Sequence, residues 1–486
     1  VVGGTERFVH KGISANLVIY LTEVIGLSNS SAARYVNTWV GFTSMLPLIV
    51  ATAADSCCRN RNSAILAFAL PYVAGLLALT SRSLRRTAAA AKAKAKPASL
   101  SSLSWSLYMI SLGQAGYNPS LQAFGAEQLH GDAGKRHFFQ WWYLGICSGS
   151  LLGVSIMSYI QDTFGWGLGF AIPTVFMITS VAMFLLGNKL FNHDDDAGTS
   201  LPEIFRDIRR GISKILSGCG GGCCCCLVSD ADDDVQEEVS AIEEEDKEKR
   251  QQQQQEDTLK LQHMGEVVLR LFPIWVSLLM FAVIYQQPAT FFTKQGMTMN
   301  RTIAGGRFKI PPAALQSAIT ISIIVLMPLY DKLFVPLARL LTRDENGVSV
   351  EQRMSVGMIF AVASMAVAAA VEKRRLSKIE TPMTIAWLLP QYVLLGISDV
   401  FTVVGMQEFF YGEVPEGMRT VGIALYTSVF GFGSLLGAIL ITVIEWLTKD
   451  EGGGGGWFSD DDTRLDKYYW LLGSASFFSF IAFLIF

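Results

Sequence analysis

The sequence contains little charge for a chain of its length. Asp, Glu, Lys and Arg make up 17% of the 486 residues, whereas an average globular domain carries about 25%. The formal net charge is only -3, and no basic domain stands out, which argues against nucleic acid as a partner. We expect a chain with so few charges to expose most of its surface to lipid.

Patterns for covalent or metal chemistry are also missing. Five of the eight cysteines lie in the low-complexity run Cys219–Cys226, which lacks the spacing of zinc ligands and the pattern of a disulfide framework. His10 and His137 are isolated in the sequence, and we expect them to make polar contacts rather than bind a metal. Because no nucleophile–base arrangement or phosphate loop occurs, we predict that the protein is not an enzyme and needs no cofactor.

Long apolar runs dominate the chain instead. Each is roughly 18–25 residues long, the length that a helix needs to cross a bilayer. We predict transmembrane helices at residues 1–22, 36–55, 63–80, 103–124, 138–160, 167–188, 264–286, 313–331, 354–372, 384–406, 418–446 and 467–486. This pattern predicts an all-α polytopic membrane protein with twelve transmembrane helices, and most such proteins move a solute across the membrane.

A long charged segment divides the predicted helices into two sets of six. We predict an N-terminal six-helix bundle at 1–188, a central loop at 189–263 and a C-terminal six-helix bundle at 264–486. In the loop, Ser200–Leu216 has the periodicity of an amphipathic helix, which either lies on the membrane surface or packs against the protein. The acidic, Gln-rich stretch Asp230–Asp257 is expected to be disordered.

Two further expectations concern the chain ends and a basic segment. The chain begins and stops inside apolar runs and lacks an initiator Met, so we expect both ends to be trimmed. Between the third and fourth predicted helices we expect a loop that carries a set of basic residues, namely Arg82, Arg85, Arg86, Lys92, Lys94 and Lys96.

The first predicted helix carries three charges, on Glu6, Arg7 and Lys11. A charge inside the bilayer costs several kcal/mol unless it is paired or hydrated, so such residues are candidates for function. Arg7 and Lys11 are four residues apart and share a helix face. One acid and two bases can bind an anion or a carboxylate, and the alternative is a structural ion pair with another helix.

Further polar residues interrupt the other apolar runs. In the fourth helix, Asn118 is a candidate for substrate binding, and Pro119 favours a local kink. Gln287 lies beside a proline at the end of the seventh helix and is a candidate for the same site. In the tenth helix, Asp399 either takes part in gating or tethers two helices, and we predict that Glu408 balances Arg7 across a central cavity.

Several segments of the chain resemble the proton-dependent oligopeptide transporter family, in its plant nitrate/peptide branch within the major facilitator superfamily. The resemblance covers nearly the whole chain. Its most specific segments are Asn16–Thr22, Phe138–Tyr143, Arg270–Trp275, Thr290–Gly296, Leu389–Gly396 and Gln407–Tyr411. The resemblance implies two six-helix bundles, cytoplasmic termini, a cytoplasmic loop at 189–263 and alternating access to a site at the midplane of the membrane.

The sequence departs from the family pattern at positions that handle protons. Glu6 and Arg7 match the last two places of the family motif Glu-x-x-Glu-Arg, but Gly3 stands at the first. Asn118 replaces a lysine that is common in the family, and Lys11 stands where an aromatic residue is usual. Of the family motif after the second helix, only the start at Asp55 is kept, so this residue is a structural or gating candidate.

The resemblance implies a secondary active transporter for a small anionic or zwitterionic solute, with protons and the lipid bilayer as its other partners. A carboxylate couples protons to the solute when it exchanges a salt bridge for a proton, and both Glu6 and Glu408 are able to do this. We expect the coupling to run through Glu6, paired with Arg7 or Lys11. An uncoupled facilitator and a non-transporting sensor on the same scaffold are the alternatives. We expect the plasma membrane as the location, with the vacuolar membrane as the alternative.

Overall fold

The computed structural model describes residues 1–57, 61–91, 100–127, 142, 144–187, 267, 269–303, 308–329, 349–378, 381–414, 419–448, 457–458 and 464–485. The predicted loop at 189–263 lies outside these residues, together with its amphipathic helix, its cysteine run and its acidic stretch. His137 and the basic residues Lys92, Lys94 and Lys96 also lie outside them.

The described residues form twelve long helices in two sets, one in each predicted bundle. The N-terminal half contains α1 (Val2–Ser14), α2 (Asn29–Cys57), α3 (Arg61–Ala91), α4 (Leu100–Glu127), α5 (Leu144–Thr163) and α6 (Trp166–Gly187). The C-terminal half contains α7 (Leu269–Met297), α8 (Pro312–Leu329), α9 (Val350–Leu376), α10 (Ile385–Gly412), α11 (Arg419–Thr448) and α12 (Leu465–Ile485). The all-α prediction is confirmed, and a two-residue hairpin, β1 (Thr302–Ile303) with β2 (Phe308–Lys309), follows α7.

Most of these helices have the length and the apolar composition needed to span a bilayer. Within the described part of the chain, nine helices are long and apolar enough to span a membrane. Their outward surfaces carry large apolar side chains such as Phe176, Val325 and Trp446, which are more than half exposed. In water such a surface would be costly, whereas lipid solvates it, so the protein is a multi-pass membrane protein.

Two helices that hold equivalent places in the two halves are interrupted. The α1 helix ends at Ser14, and the chain continues through the short helix Leu17–Ile19 and the π-helical segment Tyr20–Ile25. The α7 helix is interrupted by the 3₁₀ turn Gln287–Ala289, where Pro288 lacks a backbone N–H to donate. Discontinuous helices in corresponding positions of two halves are typical of transporter binding sites.

Other prolines leave their helices continuous. They lie inside α2, α3, α4, α6 and α8, where the backbone stays helical. Pro119 is one of them, so the kink that the sequence favours does not break α4. The expectation of a loop at Arg82, Arg85 and Arg86 is wrong, because α3 continues through all three residues to Ala91.

Each half has its own buried apolar cluster. In the N-terminal half the cluster is centred on residues such as Trp39 and Phe170. In the C-terminal half it includes Phe281 and Met358. The halves pack together along α2 and α11, where Gly41 and Gly431 allow close approach to Leu435 and Met45 respectively. The bounds of the two predicted bundles stay a prediction.

Candidate transport site between the two halves

The carboxylate of Glu6 is buried inside the N-terminal half. Glu6 is 1% exposed, and the Tyr72 hydroxyl donates a hydrogen bond of 3.1 Å to Glu6 Oε1. The Nε of Arg7 lies 3.7 Å from Glu6 Oε2. Asn118, half-buried on α4, also hydrogen-bonds the Glu6 side chain. These donors and the nearby guanidinium offset part of the cost of burying the carboxylate.

Glycines bring α1 close to α5 and so fix the position of α1, which carries Glu6, relative to α5. A Cβ on Gly149 of α5 would lie 2.0 Å from the carbonyl oxygen of Gly4, and a Cβ on Gly4 would lie 2.8 Å from that of Gly145. These distances leave room for hydrogen alone, so the two backbones are in direct contact. Gly3 faces the ring of Trp142, whose Cη2 atom would be 2.7 Å from a Cβ at that position. The ring therefore occupies the space beside the first place of the Glu-x-x-Glu-Arg motif.

The second cation of α1 interacts with the opposite half. Lys11 is half-buried on α1, and Asp399 is 6% exposed on α10. The ammonium of Lys11 interacts electrostatically with the carboxylate of Asp399 and with Arg7. The phenol of Tyr426 on α11 interacts with Asp399 and Arg7 as well. The structure thus groups the charges of both halves into one site: two cations, Arg7 and Lys11, and two carboxylates, Glu6 and Asp399.

His10 lies at the edge of this charge cluster. Its ring centroid is 5.8 Å from that of Trp39 on α2, and both Arg7 and Lys11 act on it electrostatically. Its buried Nδ1 has no hydrogen-bond partner within the described residues. The expectation that His10 makes polar contacts stays a prediction. Within the same described ranges, no group of His, Cys, Asp or Glu is arranged to hold a metal ion.

The structure does not bring two of the predicted site residues to the charge cluster. Glu408 is exposed and forms an ion pair with Arg353 of α9, so the prediction that it balances Arg7 is wrong. Gln287 is fully buried in the C-terminal half, where its Nε2 donates to the Val283 carbonyl at 3.0 Å and to the Tyr468 hydroxyl at 3.4 Å.

The three structural or gating candidates lie in different parts of the structure. Pro119 is exposed and lies one residue beyond Asn118 on α4. Asp55 lies near the end of α2, where the structure describes the backbone but no side chain. Asp399, the third of them, belongs to the charge cluster described above.

Sequence reasoning missed Tyr72, Tyr426 and Trp142. Each is an aromatic residue in an apolar run, and aromatic residues in such runs usually serve as packing. The sequence contains a signal only for Trp142, which lies in a segment rich in aromatic side chains. The other two become visible only when the helices are assembled.

Hydrogen bonds and ion pairs join the halves at one end of the site, where α1 and α7 end. Arg301 binds Asp162 at 3.1 Å, Lys294 Nζ lies 2.6 Å from Thr22 Oγ1, and Gln316 donates to the Ala15 carbonyl at 3.0 Å. At the same end, Glu445 of α11 accepts a hydrogen bond of 2.9 Å from Ser30 and pairs with Arg34 at 3.2 Å. We call this group of contacts the closed end.

Comparison with known families fits this arrangement. Residues 62–470 match the family described as the POT family. The chain belongs to the POT family. The protein is therefore a membrane transporter and not an enzyme.

Related plant proteins align over almost the entire chain. Protein NRT1/PTR FAMILY 5.9 of Arabidopsis thaliana is 45% identical over 530 residues, which cover 100% of this chain and 93% of the relative. Protein NRT1/PTR FAMILY 5.14 of the same plant is 37% identical over 500 residues, which cover 99% of this chain and 89% of the relative.

Solved structures share the fold at lower sequence identity. The crystal structure of an auto-inhibited POT family peptide transporter matches with a TM-score of 0.71 at 18% identity, covering 100% of this chain and 94% of that one. A POT family transporter in complex with 5-aminolevulinic acid matches with a TM-score of 0.71 at 16% identity, covering 100% and 94%. The fold is that of these transporters.

Proposed function

We propose that the protein carries a small anionic or zwitterionic solute together with protons across the plasma membrane, by alternating access to the site between its halves. One observation carries this proposal: two cations and two carboxylates, contributed by both halves, are grouped in one site between the helices. Charges in a membrane interior mark substrate and ion pathways. A site of this kind can bind the charged groups of a solute and release them when the halves separate.

The balance of charge supports coupling to protons. Arg7 has Glu6 as a partner and Lys11 has Asp399, so the empty site carries no net charge when all four groups are ionised. An anion that enters would add one buried negative charge, which is costly in surroundings of low dielectric constant. Protonation of one carboxylate removes that cost, because it leaves one cation for the solute. The anion and the proton therefore enter together.

The chemistry of the cluster also limits the solute class. Two cations suit nitrate or a carboxylate, and two carboxylates suit the ammonium group of a peptide-like molecule. One structural neighbour of this fold binds 5-aminolevulinic acid, a molecule with both kinds of group. We propose the same range of solutes for this chain, with hormone-like carboxylates included.

Uptake into a heterologous cell tests the proposal. Labelled nitrate, dialanine and carboxylate plant hormones are supplied at acid and at neutral external pH, with cells that lack the protein as the control. We expect acid to stimulate uptake of at least one of these solutes. Uptake that ignores external pH would identify an uncoupled facilitator, and binding without uptake would identify a sensor.

A fluorescent fusion expressed in plant cells tests the membrane assignment. We expect the signal to follow the cell border and to stay with the protoplast surface after plasmolysis. A signal on the vacuolar membrane would contradict the proposed location in the plasma membrane.

A further inference from the structure

Two arginines near the end of α3 take no part in the charge cluster of the transport site. Arg82 and Arg86 are four residues apart on a continuous helix, so they share one of its faces. Both are partly buried, whereas Arg85 between them is exposed. Like charges at this spacing repel each other, so this face of α3 is unfavourable unless a negative group lies beside it.

Neighbouring helices enclose the face that carries the two arginines. Arg82 Nη1 donates a hydrogen bond to the Ser102 hydroxyl near the start of α4. Two residues before Arg82, the Thr80 hydroxyl donates a hydrogen bond of 3.0 Å to the Phe170 carbonyl of α6. The centroid of the Phe170 ring lies 5.3 Å from that of Tyr20, in the segment that follows α1. Tyr20 therefore packs beside the end of α3, and both guanidinium groups act electrostatically on its hydroxyl.

Three donors in this region have buried atoms without a hydrogen-bond partner. Within the described part of the chain, these atoms are Arg82 Nη2, Arg86 Nη1 and the Tyr20 hydroxyl oxygen. Among the same residues no carboxylate forms an ion pair with either arginine, and Glu23, in the same segment as Tyr20, is exposed. A buried donor without an acceptor costs free energy. The arrangement thus favours an acceptor from outside the chain.

Extension of the side chains into water is the simpler explanation of arginines at a helix end. Arg85 fits that explanation because it is exposed. Arg82 and Arg86 do not fit it, since each keeps a nitrogen atom away from solvent and without a partner among the described residues. Their position is better explained by a ligand that binds between them.

The level of the two arginines in the membrane indicates the kind of ligand. Arg86 is the last residue of the apolar span Ile65–Arg86, so the guanidinium groups lie close to the lipid headgroups. Leu84 of α3 and Trp105 of α4 are exposed apolar side chains. Lipid therefore reaches both helices near this end, where the headgroups present phosphate.

We infer that Arg82, Arg86 and Tyr20 form a binding site for a phosphate group, separate from the transport site. A guanidinium group binds phosphate oxygens through paired N–H donors, and the Tyr20 hydroxyl adds a neutral donor. One bound phosphate group accepts hydrogen bonds from all three side chains and removes the repulsion between the arginines. The group belongs either to a phospholipid or to free phosphate in the water at the same surface. All three residues lie in the N-terminal half, so the inference does not depend on the proposed transport.

The purified full-length chain in a maltoside detergent tests the inference. One probe is inorganic phosphate, with sodium chloride at equal ionic strength as its control. The other is dioctanoyl phosphatidylglycerol, with dioctanoylglycerol as the control that lacks phosphate. We expect at least one probe to raise the unfolding temperature above its control. A rise with the lipid alone identifies a headgroup site, a rise with inorganic phosphate identifies a site for the free anion, and a rise with neither overturns the inference.

Arg86→Gln is the decisive variant, because the buried nitrogen that it removes has no hydrogen-bond partner in the described structure. Without a probe it is expected to unfold at the wild-type temperature. It is expected to bind the effective probe about tenfold more weakly, as judged from the titration of the unfolding temperature. Binding with the wild-type affinity would overturn the inference.

Arg85→Gln is the matched control, because Arg85 is exposed on the same turn of α3. It is expected to bind the probe as the wild type does. If Arg85→Gln and Arg86→Gln lose the same affinity, the probe responds only to the general positive charge of the helix end, and the inference fails.

Tyr20→Phe guards against misfolding of the arginine variant. It keeps the ring that packs on Phe170 and Trp166 and removes only the hydroxyl without a partner. We expect it to fold like the wild type and to bind the effective probe more weakly. Unchanged affinity in Tyr20→Phe would contradict the site as inferred.

Discussion

At the scale of single residues, the hydroxyl of Tyr72 holds the buried Glu6 carboxylate in place. Tyr72→Phe removes this donor, and loss of a hydrogen bond to a buried charged group costs about 1–3 kcal/mol. We expect a lower unfolding temperature in detergent together with a higher KM for the solute, because Arg7 loses its fixed partner.

Tyr35→Phe is the matched control for Tyr72→Phe. The Tyr35 hydroxyl of α2 donates a hydrogen bond of 2.8 Å to the hydroxyl of Ser104, which is a neutral acceptor. This variant is expected to lose less stability and to keep the wild-type KM. Equal effects of the two substitutions would show that Tyr72 has no special relation to the site.

The intramembrane charges could be found in the sequence, but their partners could not. Glu6, Arg7, Lys11 and Asp399 stand out because each is a charge in an apolar run. Which cation meets which carboxylate depends on the helices that face each other, and one chain without its fold contains no record of this. For that reason the prediction that Glu408 pairs with Arg7 is wrong. Asp399, and not Glu408, is the α10 carboxylate that faces α1.

At the scale of secondary-structure elements, the contact between α1 and α5 determines where the charges of α1 lie. Gly149→Ala would place a Cβ 2.0 Å from the Gly4 carbonyl oxygen. The two helices must then separate, and overpacking of this kind costs about 1–3 kcal/mol. We expect a lower unfolding temperature and slower uptake.

Gly145→Ala provides the control on the same helix. One turn before Gly149, a Cβ on Gly145 would meet no atom within 4 Å. This substitution is expected to keep both the stability and the uptake of the wild type. If Gly145→Ala and Gly149→Ala behave alike, close contact between the two backbones is not what positions α1.

Apolar length was sufficient to predict the helices, whereas their interruptions needed the structure. A hydrophobic run reports where a chain can cross lipid, and polar helical ends such as the last turns of α3 extend beyond it. The break in α1 after Ser14 has no proline or other strong signal. The break is possible because side chains satisfy backbone carbonyls near it. Gln316 of the opposite half donates a hydrogen bond to the Ala15 carbonyl, and Gln161 of α5 donates one of 2.8 Å to the Gly12 carbonyl.

At the scale of the whole molecule, the closed end opposes separation of the halves on one side of the site. Arg301→Gln removes the ion pair with Asp162, which is one of the contacts between the halves at the closed end. Spin labels at Phe164 and Thr381, in a background without other reactive cysteines, report the separation of the halves at this end. We expect Arg301→Gln to shift the distance distribution towards longer distances.

Arg464→Gln is the control for this experiment. It removes an ion pair with Asp466 that lies entirely within the C-terminal half, so the distance distribution is expected to match the wild type. An unchanged distribution in Arg301→Gln would mean that the remaining contacts of the closed end are sufficient without it.

The division into two halves could be predicted because a long charged segment separates two sets of apolar runs. The relative placement of the halves could not. It depends on contacts between residues that are far apart in the chain, such as Gly41 with Leu435 and Gln316 with Ala15. The sequence therefore indicates the charged residues of the site, while the assembled molecule indicates which helices bring them together.

The central claim is that solute and proton cross the membrane together through this site. Purified protein in liposomes with a trapped pH-sensitive dye tests it most directly, with no pH gradient and an inward gradient of the solute found in the uptake experiment. The account predicts that entry of the solute acidifies the lumen of liposomes that contain the wild-type protein. Solute entry into wild-type liposomes at constant internal pH would contradict it.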